Sequence, residues 1–406
     1  MAGGTAHARR QDWLRAPDRS SAPCARGRPS RADPAPRPHG SQGDARMPRP
    51  IRVLIDGTPL LGNRTGIGRY TAALAEELAS SSHVDMRAVA FTLRGWRGLR
   101  RVLPHGVRAR GIPSPAGLLR AAWLRGNFPP VELFAGLTDV VHGTNFVLPA
   151  AFRAGGVLTV HNLSFLDYPE ELSRFDTQLP ELVRVSAHRA GVVCAPSKAV
   201  ADLVVSRLGV AEEKVRVTPL GVDPAWFTAR PPNPDLAKRL NLPREYLLYV
   251  GSPGPRKALD WLIKAHANTP ALPPLVLVGP GHSASGGRVR TTGYLSEADL
   301  RSVMAGASAL TLPSRDEGFG LPVIEAMACD VPVVCTDVPA LREISGDHAH
   351  LVPFGEIDAM ATALTEALEN RLTPGKISER RAHAAGYTWR RCAELTVAAY
   401  RAAADR

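Results

Sequence analysis

Pro313-Ser-Arg-Asp-Glu-Gly-Phe-Gly-Leu-Pro-Val-Ile-Glu-Ala-Met-Ala328 follows a four-residue apolar run, Ala309-Leu-Thr-Leu312. The run has strand length, the glycine-bearing loop ends it, and apolar periodicity resumes at Pro322. Proline fits the first helical position, because its missing N–H has no partner to lose there. Strand, loop and helix in that order are the unit of a parallel sheet covered on both faces. The free amides of Gly318, Phe319, Gly320 and Leu321, with the positive end of the following helix, make a cradle for an anion or a hydroxyl. Glu317 precedes that helix and Glu325 lies about one turn inside it, so both are expected to face the opening. Two acceptor carboxylates beside a phosphate cradle suit a polyhydroxylated phosphate ester. A glutamate favoured by the helix dipole would account for Glu325 equally well.

The same alternation extends in both directions. Upstream, Arg52-Val-Leu-Ile-Asp56 precedes a glycine loop and a helix from about Gly68 to Ala79, with Tyr70, Leu74 and Leu78 on one face. Strand-like runs recur at Val84–Phe91, Val140-Val141, Gly156–Val160, Val192–Ala195 and Val215–Thr218. Helical stretches lie between them, notably Leu179–Ala190 and Lys198–Leu208. Pro231-Pro232-Asn233-Pro234 breaks the pattern, which restarts with Tyr246–Val250, Leu275–Val278, Ala309–Leu312 and Val331–Cys335. The chain is therefore expected to be α/β, with two Rossmann-like domains facing across a cleft. Their bounds are placed at 50–228 and 229–385, preceded by a disordered extension over 1–49 and followed by a terminal helix over 386–406. Ligands of open α/β sheets bind beyond the carboxyl ends of the strands, so the cleft is the expected site.

At 406 residues, 44% hydrophobic and 22% charged, the composition is that of a globular protein and excludes collagen-like or rod-like folds. No apolar run approaches the roughly 18 residues that a membrane-spanning helix needs. The five scattered cysteines lack CxxC spacing, which fits a reducing cytoplasm and offers no metal framework. Net charge is +12, favouring an anionic partner. Residues 1–46 hold nine arginines against four aspartates in a Pro-, Ala- and Gly-rich stretch without periodicity, so disorder is expected there. No apolar core of a secretory leader is found in it. Met47 directly precedes Pro48 and the first strand, leaving open whether 1–46 is a functional arm or arises from an upstream start. A second basic stretch, Arg87 to Arg125, carries nine arginines interleaved with Trp96, Leu99, Leu118, Leu119, Trp123 and Leu124. It reads either as a peripheral contact to an anionic membrane or as a solvated face beside the cleft. No helix-turn-helix, zinc-ligand or RNA-binding signature accompanies the charge, so no nucleic-acid partner is expected.

The 313–328 stretch resembles the Glu-x7-Glu motif of retaining, GT-B-fold glycosyltransferases of family 4. Tyr249-Val-Gly-Ser-Pro-Gly-Pro-Arg-Lys257 is similar to that family's segment in which an Arg and a Lys hold the donor diphosphate. Arg256 and Lys257 are expected at a helix N-terminus, where cations and free amides neutralise a diphosphate. Only six lysines occur in the whole chain, so a lysine here is the less probable residue by chance. Asp56-Gly-Thr-Pro-Leu-Leu-Gly-Asn-Arg-Thr-Gly-Ile-Gly-Arg-Tyr70 resembles the first loop and helix of mannosyltransferase-like members, with Thr65, Gly66 and Gly68 letting backbone approach donor phosphate or acceptor. Those glycines could equally shape a turn. Thr159-Val-His-Asn-Leu-Ser-Phe165 resembles the segment whose histidine, here His161, meets the donor sugar. His142-Gly-Thr-Asn145 is a lesser candidate for the same cleft. Gly293-Tyr294 is similar to the loop that lies against the nucleotide base, while Ser296 reads as a helix N-cap.

The resemblance implies a metal-independent hexosyltransferase that needs no cofactor and takes a nucleotide-diphosphate sugar as donor, GDP-mannose by subgroup. Asp-x-Asp, the usual metal-binding signature of the other glycosyltransferase architecture, is absent from the chain. Arg256, Lys257, Glu317 and His161 would carry the chemistry. Glu325 would accept from the ribose. A saccharide or lipid-linked acceptor in cell-envelope glycan synthesis would complete the reaction, at the inner face of the plasma membrane. Asn162 stands where the subgroup has Asp, which bears on how His161 is held. Asp330 replaces a common Gly, and Ala258 a frequent Asn from which little effect is expected. A nucleotide-sugar epimerase and a catalytically idle nucleotide-binding scaffold are the competing readings.

Overall fold

The computed structural model describes residues 49–62, 64, 66–172, 176–283, 287–370 and 373–405. The expected disordered extension lies outside them, apart from Arg49. Seven strands form a first sheet: β1 (Ile51–Asp56), β2 (Val84–Val89), β3 (Arg108–Ala109), β4 (Val140–Gly143), β5 (Gly155–Thr159), β6 (Val192–Ala195) and β7 (Val215–Val217). Six form a second: β8 (Leu247–Val250), β9 (Leu275–Val278), β10 (Val289–Gly293), β11 (Ala309–Leu312), β12 (Val333–Thr336) and β13 (His350–Val352). Their spatial orders are β3-β2-β1-β4-β5-β6-β7 and β10-β9-β8-β11-β12-β13. Every pairing is parallel, with Val53 beside Val140 in the first sheet and Leu310 beside Leu248 in the second.

The inner strands are short and apolar because helices cover both faces. All four residues of β4, β6, β9, β11 and β12 are buried. Each leucine or valine so placed contributes about 1.5–3 kcal/mol. The edge strand β3 is partly exposed, as expected where one face lacks a cover. Local chemistry marks the helix ends: Ser197 Oγ accepts from Val200 N at the start of the helix Lys198–Leu208, and left-handed Gly209 closes it.

The final helix, Trp389–Ala404, returns to the first sheet. It packs on β5, β6 and the helix Gly66–Ala79, burying Cys392, Val397 and Tyr400. Gly155 is needed where it passes, since a Cβ there would overlap the Ala403 carbonyl. His142 belongs to this seam and not to the cleft, contrary to the sequence expectation. It is fully buried, with Nδ1 2.8 Å from Tyr400 Oη and Nε2 2.8 Å from Thr159 Oγ1, which in turn meets Tyr70 Oη at 2.9 Å. The apolar surroundings bring its pKa down to about 3, so it is a neutral strut.

Candidate active site

Each sheet reverses its strand order once, between β1 and β4 in the first and between β8 and β11 in the second. Such switch points open a crevice at the carboxyl ends of the strands. A cavity of about 580 Å³ lies between the two lobes at these ends. Its walls include Arg64, Gly66, Arg69, His161 and Asn162 from the first lobe, and Lys257, Tyr294, Glu317 and the loop Gly318–Leu321 from the second. Among the residues singled out by sequence, the structure therefore gathers Gly66, His161, Lys257, Tyr294, Glu317, Gly318, Phe319, Gly320 and Leu321 on one cavity. Thr65 lies outside the described residues.

Chain leaving β8 turns through the short 3-10 segment Pro255–Lys257 before the helix Leu259–Ala267. Arg256 and Lys257 thus sit one tight turn ahead of that helix. The turn is joined to it by Ala258 in the left-handed conformation (φ 45°). Asparagine occupies that conformation at lower cost than alanine, so replacement of the family's usual Asn has a price in strain, against expectation. Asp330 is also left-handed (φ 66°), as its position at the helix end required.

Chain leaving β11 brings Glu317 onto this turn. Lys257 Nζ donates to Glu317 Oε1 at 2.5 Å, Ser314 Oγ donates to the same oxygen at 2.7 Å, and Arg256 Nη1 donates to Oε2 at 3.3 Å. Burial alone would raise the Glu317 carboxyl, but Lys257 and Arg256 overcome it and bring the group down to about 2. Glu317 is an anion at neutral pH, held between two cations. Arg256 stands behind it: Nη1 also donates to the Asp316 carbonyl at 2.7 Å, and its backbone N–H donates to Glu171 of the first lobe at 2.8 Å. Arg256 therefore orders Glu317 and Lys257 from outside the cavity wall. Neighbouring Asp316 responds in the opposite sense, pushed up to about 6 mainly by burial.

The helix after Glu317 spans Leu321–Ala328, which places Pro322 at its second position, one later than the sequence suggests. Glu325 does not face the opening. It is 1% exposed, and Oε1 accepts from Arg69 of the opposite lobe, while Oε2 has no partner. Burial raises its pKa and Arg69 opposes the rise. Arg69 also stacks over Trp226 at 5.7 Å and reaches the cavity wall. Sequence reading quoted Arg69 within the glycine motif but gave it no role. The available signal was a cation on the turn after Gly66, whose partner only the closed lobes reveal.

His161 follows β5 and is 7% exposed. Its Nε2 donates to the Thr144 carbonyl at 2.8 Å, and burial lowers its pKa to about 4. The ring is thus neutral, with Nδ1 left as an acceptor. Tyr70 and Phe146 fix it edge-on at 4.8 and 5.7 Å. Asn162, the departure from the subgroup's Asp, turns its oxygen to Ser164 N and Oγ, so the Thr144 carbonyl orients the histidine instead. Gly318 lies directly against the His161 carbonyl; a Cβ there would overlap it. Gly68 has a packing role too, its Cβ position lying 2.8 Å from the Pro59 carbonyl, whereas around Gly66 there is open space. Only Gly66 is placed for close approach of a ligand. Tyr294, 47% exposed, follows left-handed Gly293, and Ser296 caps the next helix by accepting from Asp299 N at 3.1 Å.

Two parallel-sheet lobes with a cation-rich crevice between them define a glycosyltransferase of GT-B fold, and comparison with known proteins agrees. Residues 64–226 match the family described as "Glycosyltransferase Family 4", and residues 244–370 match "Glycosyl transferases group 1". Together the matches take in more than half of the chain, which belongs to glycosyltransferase family 4. It is 25% identical over 384 residues to the O-antigen chain mannosyltransferase B of Escherichia coli, covering 86% of this chain and all of that one. Among solved structures, the sucrose-phosphate synthase of Thermosynechococcus elongatus superposes with a TM-score of 0.67 at 21% identity, over 87% of this chain and 98% of that one. An Anabaena protein in complex with UDP-glucose does so at 0.65 and 19%, over 86% and 98%. At those identities the structures speak for the fold alone.

Proposed function

We propose that this glycosyltransferase moves a hexose from a nucleotide-diphosphate sugar to a saccharide or lipid-linked acceptor, with retention of anomeric configuration and without a metal ion. The observation that carries the reading is the Lys257–Glu317–Arg256 cluster with the adjoining Gly318–Leu321 amides. A departing diphosphate needs fixed positive charge that costs no reorganisation when the bond breaks. Lys257 supplies it at the cavity wall, Arg256 reinforces it from behind, and Glu317 holds both in place until substrate oxygens share them. Tyr294 offers a ring to the base, and neutral His161 offers an acceptor to a sugar hydroxyl.

Retention is what the resemblance to family 4 implies, and the carboxylates on the cavity are compatible with it. Of those on the cavity, Glu317 is engaged by two cations, and Glu297 lies 3.3 Å from Arg301. No carboxylate nucleophile is assigned, and the resemblance to family 4 implies reaction on one face, with the leaving phosphate taking the acceptor's proton. Similarity to a protein named as a mannosyltransferase supports mannose, and hence GDP-mannose, as donor. The O-antigen name of that relative also supports a cell-envelope acceptor.

A second surface suits a lipid-linked acceptor met at the inner face of the plasma membrane. Leu93, Ile112 and Leu118, all at least half exposed, fall within the 87–125 stretch of nine arginines, whereas Leu99, Leu119 and Trp123 of that stretch are buried. Apolar side chains among cations suit an anionic membrane surface. No helix among the described residues is long and apolar enough to cross a bilayer.

Lys257→Ala and Glu317→Ala test the site separately. Each is expected to cost at least about 2–3 kcal/mol of transition-state stabilisation, read as kcat/KM for transfer from GDP-mannose or, in parallel, UDP-glucose. Turnover within a few-fold of wild type in both variants would refute the assignment. Release of free nucleotide with a new glycosidic bond separates transfer from epimerisation of the donor.

A further inference from the structure

A second, smaller cavity opens at the switch point of the first sheet and plays no part in the donor site. It holds about 30 Å³ and is lined by Asp56, Thr58, Arg120 and Asn145, with apolar Phe91 and Val147. Asp56 is the last residue of β1, and Asn145 lies two residues beyond β4, so the two come from the strands between which the order reverses. Asp56 is 8% exposed and accepts from Thr58 N at 2.9 Å. The Asn145 side-chain oxygen is buried and has no partner. Arg120, 42% exposed in its side chain, stands at the rim with Asp176 at 3.4 Å.

One buried oxygen, that of Asn145, thus lacks a donor, and the Asp56 carboxyl and the Arg120 guanidinium line the same cavity. A buried amide oxygen without a partner costs about 1–3 kcal/mol, so a ligand that donates to it recovers that energy. A hydroxyl both donates and accepts, which matches the set. The volume admits one such group: a water-sized occupant needs roughly 10–15 Å³ of probe-occupied space. Along the chain, the cavity adjoins the residues that hold His161. Thr144 accepts from the histidine ring through its carbonyl, and Phe146, left-handed at φ 62°, packs on that ring. Asn145 is the residue between them.

We propose that this cavity is an acceptor subsite, taking one hydroxyl or hydroxymethyl group of the acceptor's sugar, with Asn145 and Asp56 accepting its hydrogen and Arg120 donating to its oxygen. The inference rests on the glycosyltransferase reading above, and it names residues that select the acceptor and leave the donor untouched.

Asn145→Ala, Asp56→Asn and Arg120→Met test it in the full chain. Arg120→Met keeps the test open should either interior change disturb folding, because its side chain is partly in solvent. Binding of methyl α-D-mannopyranoside, with GDP present, is followed by saturation-transfer NMR. At least about a five-fold loss of affinity in each folded variant is expected, with GDP affinity within two-fold of wild type. Unchanged affinity for the glycoside in all three would show a cavity filled only by water and overturn the subsite, as would absence of binding by wild type. Weakened glycoside binding in the variants, with no GDP binding by wild type, would support the subsite while overturning the donor reading.

Discussion

The two switch points share an architecture and differ in electrostatics. Beyond β8 and β11 the loops gather Arg256, Lys257 and Glu317 into an ionised cluster. Beyond β1, β4 and β5 they gather Asp56, Asn145 and His161, where burial raises the Asp56 carboxyl and lowers the histidine, pushing both toward neutrality. The strands contribute little to this contrast, being apolar on both sides. Identical scaffolds are therefore specialised by the first few residues after each strand.

The largest expected effect comes from the point where the halves touch. Gly318→Ala puts a methyl group into the His161 carbonyl, which neither backbone can yield cheaply. The lobes should be forced apart, and a displacement of about 1 Å at the reacting groups costs on the order of 100-fold in kcat/KM. Unaltered steady-state kinetics would mean that the closed arrangement of the two switch points is not the working one.

Next is acid stability, which should separate two neighbours in the charged half. Glu317 is depressed from its ordinary 4.5 to about 2. It therefore contributes about 3 kcal/mol that is present above pH 4.5 and lost as pH falls toward 2. Asp316 is raised from 3.8 to about 6, so its ionised form penalises the fold above pH 6, and the penalty vanishes as pH falls through 4. Urea titrations across pH should show Glu317→Gln losing the steep limb below pH 4.5. Asp316→Asn should be more stable than wild type at pH 7.5 and equal to it near pH 4. Parallel profiles for the two variants would contradict the assigned electrostatics.

The smallest effect probes the glycine loop of the first lobe. Gly66→Ala meets nothing within 4 Å, so the melting temperature should hold. Donor KM should nevertheless rise by about five-fold if phosphate approaches the backbone there. An unchanged KM would reduce Gly66 to a turn former.

The fold was legible because alternation of short apolar strands with amphipathic helices is a local signal. Strands at 192–195, 275–278 and 309–312 coincide with their apolar runs to the residue. Glu317 and Lys257 were legible because each stands in a stretch that resembles a family 4 motif following a strand. The misplacements of Glu325 and His142 share one cause, which is a partner distant in sequence. Glu325 reads as cleft-facing until Arg69 arrives from a helix 256 residues earlier in sequence. His142 reads as a ligand until Tyr400, 258 residues later, takes its ring nitrogen. Asn145 stood out only as the end of the His142–Asn145 stretch, since an unpartnered oxygen is a property of the assembled pocket.

Val222 N donates to the Tyr387 carbonyl at 3.0 Å, and Gly221 presses against Trp389 N. The segment leaving the first lobe thus runs beside the segment returning to it. Paired tethers at one place act like the spine of a book, fixing the edge along which the two covers meet. In the arrangement seen, Gly318 lies over the His161 carbonyl. Cutting the chain before Tyr387 would remove one tether, together with the helix that seats it, and leave the remaining lobes free to meet out of register.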